Sequence, residues 1–291
     1  MIRRFFKQVY LSLLYAAQIQ DWHFYKFPYL NKYAGKKAYI MSNGPSLRNT
    51  LKEFDEGKIH IDDNSFWVNL GPLDGHFFQI KPKHLCFSDP MFIRDYEPKK
   101  EQVRKMYQML NERVDWDLTI YGCFWKAKDH KDLVTYSGIT NPHIKFVKMN
   151  RKYCNELAPK LRYHLYKKGC FMVPDGTIAN TAIFLALIEG YSEIELYGCD
   201  HNQFLELAVN EKNQMCMRDT HFFDSKELEL RPIYKPYGDY QVWRVYEYMG
   251  FCRTQFYSHE LLRKFADYLG SRIINCTPKS MIDSYERKPG C

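Results

Sequence analysis

The sequence predicts an α/β fold: a mostly parallel sheet flanked by helices, with a lid inserted late in the chain. Three observations predict it. Short apolar runs alternate with amphipathic stretches along most of the chain. Two of those stretches stop at glycine, Gly190 and Gly270, as helices do. Four of the apolar runs close on polar residues, Asn43, Asn69, Asp89 and Asp200. In such folds ligands bind beyond the carboxyl ends of the strands, so four polar strand ends that could converge form a stronger signal than any one alone.

Residues 1–35 read as a helical extension, and 36–291 as the α/β domain. The first 17 residues, MIRRFFKQVYLSLLYAA, put arginines ahead of an apolar run that Lys7 and Gln8 interrupt. The run is too short to cross a bilayer and is broken where a secretory leader would be continuous. Phe5, Phe6, Val9, Leu13, Ala16 and Ala17 share one helical face. The segment is therefore expected to be an amphipathic helix, either peripheral on the inner face of a bacterial membrane or docked on the protein's own core.

In the domain, 37–41 (KAYIM) reads as a strand entering a tight turn at 42–46, with a weak helix over 47–54. Strands follow at 66–69 and 84–87, then a helix over 99–113 with Val103, Met106, Tyr107 and Leu110 at helical spacing. Strands at 118–121 and 144–147 precede a strong helix over 177–189 and a strand at 194–197. Residues 203–256 are irregular and rich in Tyr, Asp and Pro, which suits a lid. Ser258 is a plausible N-cap for a helix over 259–269, and a short strand at 272–276 leads into Thr277-Pro278-Lys279-Ser280.

Composition narrows the function. Apolar residues make up 45% of the 291 and charged residues 26%, which excludes wholesale disorder. The aromatic fraction of 16% suits carbohydrate or membrane contacts, or an aromatic core. A net charge of +8 favours anionic partners. No zinc-finger or RNP-type motif and no long basic run is present, so nucleic acid is not expected. Nine scattered cysteines with no CxxC pair read as thiols in a reducing cytoplasm rather than as a zinc site.

The best chemical motif is Ser42-Asn43-Gly44-Pro45-Ser46 between strand and helix. Its backbone amides and the helix N-terminus suit phosphate or ribose oxygens. It is neither a Walker A loop nor GxGxxG. Gly198-Cys199-Asp200-His201 closes another strand, where Asp200 can accept from ribose hydroxyls. Thr177 at a helix start, and Thr277 and Ser280 after the last strand, are further candidates for donor binding. His221 and His259 are candidate general bases. With Ser258 as the N-cap, His259 falls in the first helical turn, which disfavours its protonated form. Asp89, Asp200, His201 and His221 could gather around a metal, but no HExxH or DxD pair exists. A reaction without metal or other cofactor is expected.

Four segments together resemble the bacterial lipooligosaccharide sialyltransferases: SNGPSL (42–47), Val-Asn (68–69), ALIEGYSEIELYGCD (186–200) and NCTPKS (275–280). They also resemble a related group similar to 6-hydroxymethylpterin pyrophosphokinases. The likeness covers roughly residues 36–285 in patches. The sialyltransferase resemblance implies a GT-A-like or Rossmann-type nucleotide-binding domain with a lid. It implies a CMP-activated sugar donor, inversion, no metal and a glycan or glycolipid acceptor. It places Asn43 and Gly44 in the nucleotide turn, Asn69 and Asp200 at the donor, and the base at His259, with His221 as rival. His201 and Asn202 stand where the family has tyrosines at the leaving phosphate, and Asp89 where it has asparagine. The pterin-kinase resemblance implies instead ATP and Mg²⁺, with Asp89 and Asp200 as ligands. A third expectation is a non-catalytic nucleotide- or glycan-binding protein of surface-polysaccharide assembly.

Overall fold

The computed structural model describes residues 2–21, 26–97, 99–124, 127–149, 151–218, 230–235 and 241–288. The domain is built on an eight-stranded sheet. In chain order its strands are β1 (Lys37–Met41), β2 (Ser65–Val68), β3 (His84–Phe87), β4 (Leu118–Gly122), β5 (Ile144–Lys148), β6 (Glu193–Tyr197), β10 (Arg272–Asn275) and β11 (Glu286–Arg287). Across the sheet they run β11-β10-β6-β1-β2-β3-β4-β5, every neighbouring pair parallel.

Both faces are covered, so the central strands carry apolar side chains on both sides. Ala38 and Ile40 of β1, Phe66 and Val68 of β2, and Ile194 and Leu196 of β6 point to one core. Tyr39, Met41, Trp67 and Tyr197 point to the other, because successive strand residues face opposite ways. The first core packs under α7 (Ile178–Ile188) and α8 (Val245–Leu269). The second packs under α2 (Leu47–Asp55), α3 (Gly75–Ile80), α4 (Lys100–Arg113) and α5 (Ala127–Ser137). In α4 the four residues at helical spacing are the four buried ones. In α7 everything from Ala179 to Ile188 is buried, a helix apolar all round between sheet and α8.

Two readings of the sequence are corrected, and at the N-terminus one of the two alternatives is observed. The final helix does not start at Ser258. Arg244 is the N-cap, and Glu247 reaches back to its amide at 3.1 Å. His259 is therefore deep in a 25-residue helix, beyond the reach of its N-terminal dipole. The stretch 203–256 is not irregular throughout: β7 (Leu207–Val209), β8 (Met215–Arg218) and β9 (Leu230–Pro232) form a small antiparallel sheet, and 245–256 belong to α8. At the N-terminus, α1 (Ile2–Asp21) docks on the domain beside α6 (Pro159–Lys167). Its residues Leu11 and Tyr15 join the first core.

Candidate functional site

The chain steps outward from β1 through β2, β3, β4 and β5, then returns to the other side of β1 as β6. That reversal is the topological switch point at which open α/β sheets bind ligands. The two loops flanking it are the two motifs singled out in the sequence, 42–46 and 198–201. They are stitched together: Ser42 donates to the Tyr197 carbonyl and Gly44 to the Gly198 carbonyl, both at 2.9 Å. Glycine is required at both contacts. A Cβ at Gly44 would lie 2.0 Å from Asp200 Oδ2 and 2.4 Å from the Gly198 oxygen, and one at Gly198 would lie 2.2 Å from the Ser42 oxygen.

Asp200 is engaged within the protein. Its Oδ2 accepts from Ser46 Oγ at 2.8 Å and its Oδ1 from the Ser46 amide at 3.3 Å. The protein's own carboxylate thus occupies the α2 N-terminus, which the sequence reading gave to a phosphate.

A cleft of about 970 Å³ opens over the switch point. Of the expected residues, Asn43, Gly44, Pro45, Asn69, Thr177, Gly198, Asp200 and His201 line it. The others do not. Ser46 is turned to Asp200. Asp89 stands behind Asn69, accepting from its Nδ2 at 3.2 Å; burial raises the Asp89 pKa while Arg151 and Asn69 oppose that. Thr277 and Ser280 brace the 198–200 loop from below. Thr277 Oγ1 accepts from the Cys199 amide at 3.0 Å, and Ser280 Oγ donates to the Cys199 carbonyl at 2.7 Å. His221 lies outside the described residues.

Among the described residues the histidine that reaches the cleft is His201, and His259 is wholly buried behind it, Nε2 to Nε2 at 3.1 Å. The surrounding network fixes both tautomers. Asn180 Oδ1 accepts from the Gly176 and Thr177 amides, so its Nδ2 is the atom that donates to His259 Nε2, at 3.1 Å. His259 Nε2 is therefore a lone pair, and its Nδ1–H donates to the Tyr285 hydroxyl at 2.9 Å. His201 must then donate through its own Nε2–H, which leaves Nδ1 as the basic atom. Burial pulls the His201 pKa down to about 4, and burial together with the nearby His201 holds that of His259 well below the ordinary value. Both rings are neutral near pH 7.

No family model matches this chain, and no curated protein matches it.

Much of the remaining cleft wall comes from the stretch expected to be a lid, through residues that the sequence did not single out. Met217, Arg231 and Pro232 arrive on the small sheet, followed by Tyr234, and Tyr96 comes from the loop after β3. The start of α7 forms the floor. Asn180 takes the Gly176 and Thr177 amides, and Ile178 and Ala179 line the cleft as the first helical residues. Their amides have no acceptor within the helix, which suits an anion. Gly176 lies so close to α8 that a Cβ would sit 2.5 Å from the Gln255 backbone. Gln255 itself is 1% exposed, lines the cleft, and its Nε2 has no partner among the described residues. The Asn69 Oδ1 is likewise without one. Asn69 and His201 also hold left-handed backbone, with φ of 48° and 53°, a conformation that costs side chains energy and tends to gather at functional sites.

Proposed function

We propose that this protein is an inverting, metal-independent glycosyltransferase. It moves sialic acid or a related sugar from a CMP-activated donor to a glycan acceptor of lipooligosaccharide or capsule. The observation that carries the reading is a neutral imidazole at the cleft, His201, whose basic Nδ1 is set by the His259, Asn180 and Tyr285 bonds. The switch-point position of the cleft supports a nucleotide there, and the resemblance of its two loops to the sialyltransferase motifs supports the sugar class.

In this mechanism the turn at Asn43–Pro45 and the loop at Gly198–Asp200 border the nucleotide. Asn69 offers an unused acceptor to the donor. The acceptor hydroxyl attacks the anomeric carbon from the face opposite the phosphate, and its proton passes to His201 Nδ1. The bond from the anomeric carbon to the phosphate oxygen breaks, leaving CMP. The α7 N-terminus and Arg231 face the departing charge, an electrostatic role that needs no proton transfer. The base expected at His259 is reassigned to His201, because His259 is 0% exposed and, among the described residues, meets the cleft lining at His201.

The test is a calorimetric screen of CMP, CDP, UDP, GDP and ATP, each with Mg²⁺ and with EDTA. Selective CMP binding that ignores EDTA supports the reading and leads to assays with CMP-sugars. Selective ATP binding that requires Mg²⁺ replaces it with a phosphotransferase. Binding of CMP with no transfer or hydrolysis of any CMP-sugar replaces it with a non-catalytic binding protein.

A further inference from the structure

Helix α1 has two opposite faces with different fates. One docks. Gln8 donates to the Glu156 carbonyl at 2.9 Å and accepts from the Ala158 amide at 2.8 Å. Tyr15 donates to Glu156 and packs edge-on against Phe171. The other face stays in solvent: Phe5, Phe6, Tyr10 and Leu13 are each between 64% and 66% exposed, with Val9 and Leu14 beside them. At 100° per residue the docked positions 8, 11 and 15 cluster on one side, and the exposed apolar positions spread over the side opposite. The helix is held rigidly with its apolar stripe outward, so docking on the domain and presenting an apolar surface are both true of it. A contiguous exposed stripe of large apolar residues marks an interaction surface rather than chance exposure.

The charge around the stripe selects the partner. Residues 1–17 contain Arg3, Arg4 and Lys7 and no acid. The neighbouring α6 adds exposed Lys160 and Lys167, with Lys168 just after it. No described helix is long and apolar enough to cross a membrane, α1 included. An apolar stripe on a segment that carries lysine and arginine and no acid is the pattern of a helix lying in the headgroup boundary of an anionic bilayer. We infer that the outward face of α1 binds the surface of an anionic lipid membrane and fixes the orientation of the domain on it. Gln8 is tied to Glu156 and Ala158, in the segment between β5 and α6, so the helix is fixed to the domain rather than tethered loosely. The membrane contact itself does not depend on the glycosyltransferase reading.

The experiment is co-sedimentation of the full chain with phosphatidylcholine vesicles, neutral or carrying phosphatidylglycerol at about 30%. A variant with Phe5→Ser, Phe6→Ser and Leu13→Ser is run beside it. These three side chains are exposed, so the variant is expected to keep the parent unfolding temperature and nucleotide binding. The expected result is binding to the anionic vesicles only, weakened at high salt, and at least about tenfold weaker in the variant. Equal binding by parent and variant, or no binding to anionic vesicles by a folded parent, overturns the inference. Sedimentation velocity supplies the competing outcome: a concentration-dependent dimer that the variant abolishes would mean that a second copy covers the stripe, and would overturn it as well.

Discussion

Asp200 Oδ2 lies 2.8 Å from Ser46 Oγ, across 154 residues of sequence, and so joins the loop after β6 to the first turn of α2. The join seals the underside of the switch point. It also explains why Gly44 carries no side chain, since a Cβ there would overlap that same oxygen.

Gly44→Ala should therefore force the two loops apart. Relief by side-chain rotation would free Asp200 from Ser46, but the Gly198 carbonyl is backbone and has no such freedom. A loss of roughly 2–4 kcal/mol in unfolding free energy is expected, at the upper end of single substitutions. Asp200→Asn keeps the shape and weakens two charge-assisted bonds, costing about 1–2 kcal/mol. Denaturant midpoints of the three proteins give the order. A fully stable Gly44→Ala would show that the loops are not in contact as described.

His201→Ala should reduce turnover by about 10²–10⁴-fold while nucleotide affinity changes little, since general-base help is worth that much. His259→Gln should cost less, because the glutamine oxygen can still accept from Asn180 and from His201 Nε2–H. With the His201 pKa lowered to about 4, the imidazole is neutral from there upward, so the acid limb of activity should fall well below pH 6.5. A lowered histidine pKa also places a loss of stability on the acid side: its contribution is complete above about 6.5 and is lost as pH falls toward 4. Steady-state kinetics across pH 4–9 decides it. An acid limb at the ordinary histidine value, unaltered in His201→Ala, would remove His201 from the reaction.

Gln255→Leu separates stability from binding. The wild-type side chain buries an Nε2 with no described partner, a state that costs on the order of 1–3 kcal/mol. Leucine removes that cost, so the ligand-free protein should unfold at the same temperature or higher. If Nε2 is held for an acceptor oxygen of the bound molecule, nucleotide or sugar-donor affinity should fall by about tenfold. A stabilised variant with undiminished affinity would assign Gln255 to packing alone.

The site was legible in part, and the parts differ for physical reasons. Loops 42–46 and 198–201 announce themselves because each follows a short buried apolar run and needs glycine at a fixed place. The inward stripe of α4 could be read residue by residue, since solvent on its other face enforces the period. Helix α8 could not. Its first half faces the small sheet and the cleft through Tyr248, Cys252 and Gln255, a stripe too polar to show as one. Ser258 mimicked a cap, yet its hydroxyl bonds the Thr254 carbonyl one turn back at 2.7 Å and the Pro174 carbonyl, as a mid-helix serine does. With the helix begun at Val245, Gln255 and His259 fall four apart on one face, and the cleft residue becomes findable. The His201–His259 pair spans 58 residues, and no local pattern encodes it.

A second buried network lies at the far end of the sheet and sets the alkaline behaviour. Glu189, at the end of α7, accepts from the Tyr121 hydroxyl at 2.6 Å. That hydroxyl in turn takes the His84 Nδ1–H at 3.1 Å, and Tyr191 donates to His84 Nε2 at 2.9 Å. Glu189 Oε2 has no hydrogen-bond partner among the described residues, and His84 Nδ1 stands 3.8 Å from it, too far for a hydrogen bond. Desolvation raises the Glu189 pKa from 4.5 to about 8 and holds that of His84 well below its ordinary value, so both are neutral near pH 7 rather than an ion pair. An acid whose folded pKa is raised gives its full stabilisation below the unfolded value, and that is lost as pH rises through the folded one. Stability should thus decline between pH 4.5 and 8 on account of this group. Glu189→Gln keeps the acceptor for Tyr121 and cannot ionise. The variant should gain on the parent as pH rises from about 5 to about 9, a comparison in which every other titrating group cancels. Urea midpoints of the two proteins at both pH values test it. A gap that does not widen would mean that Glu189 is charged throughout and that His84 carries the compensating proton.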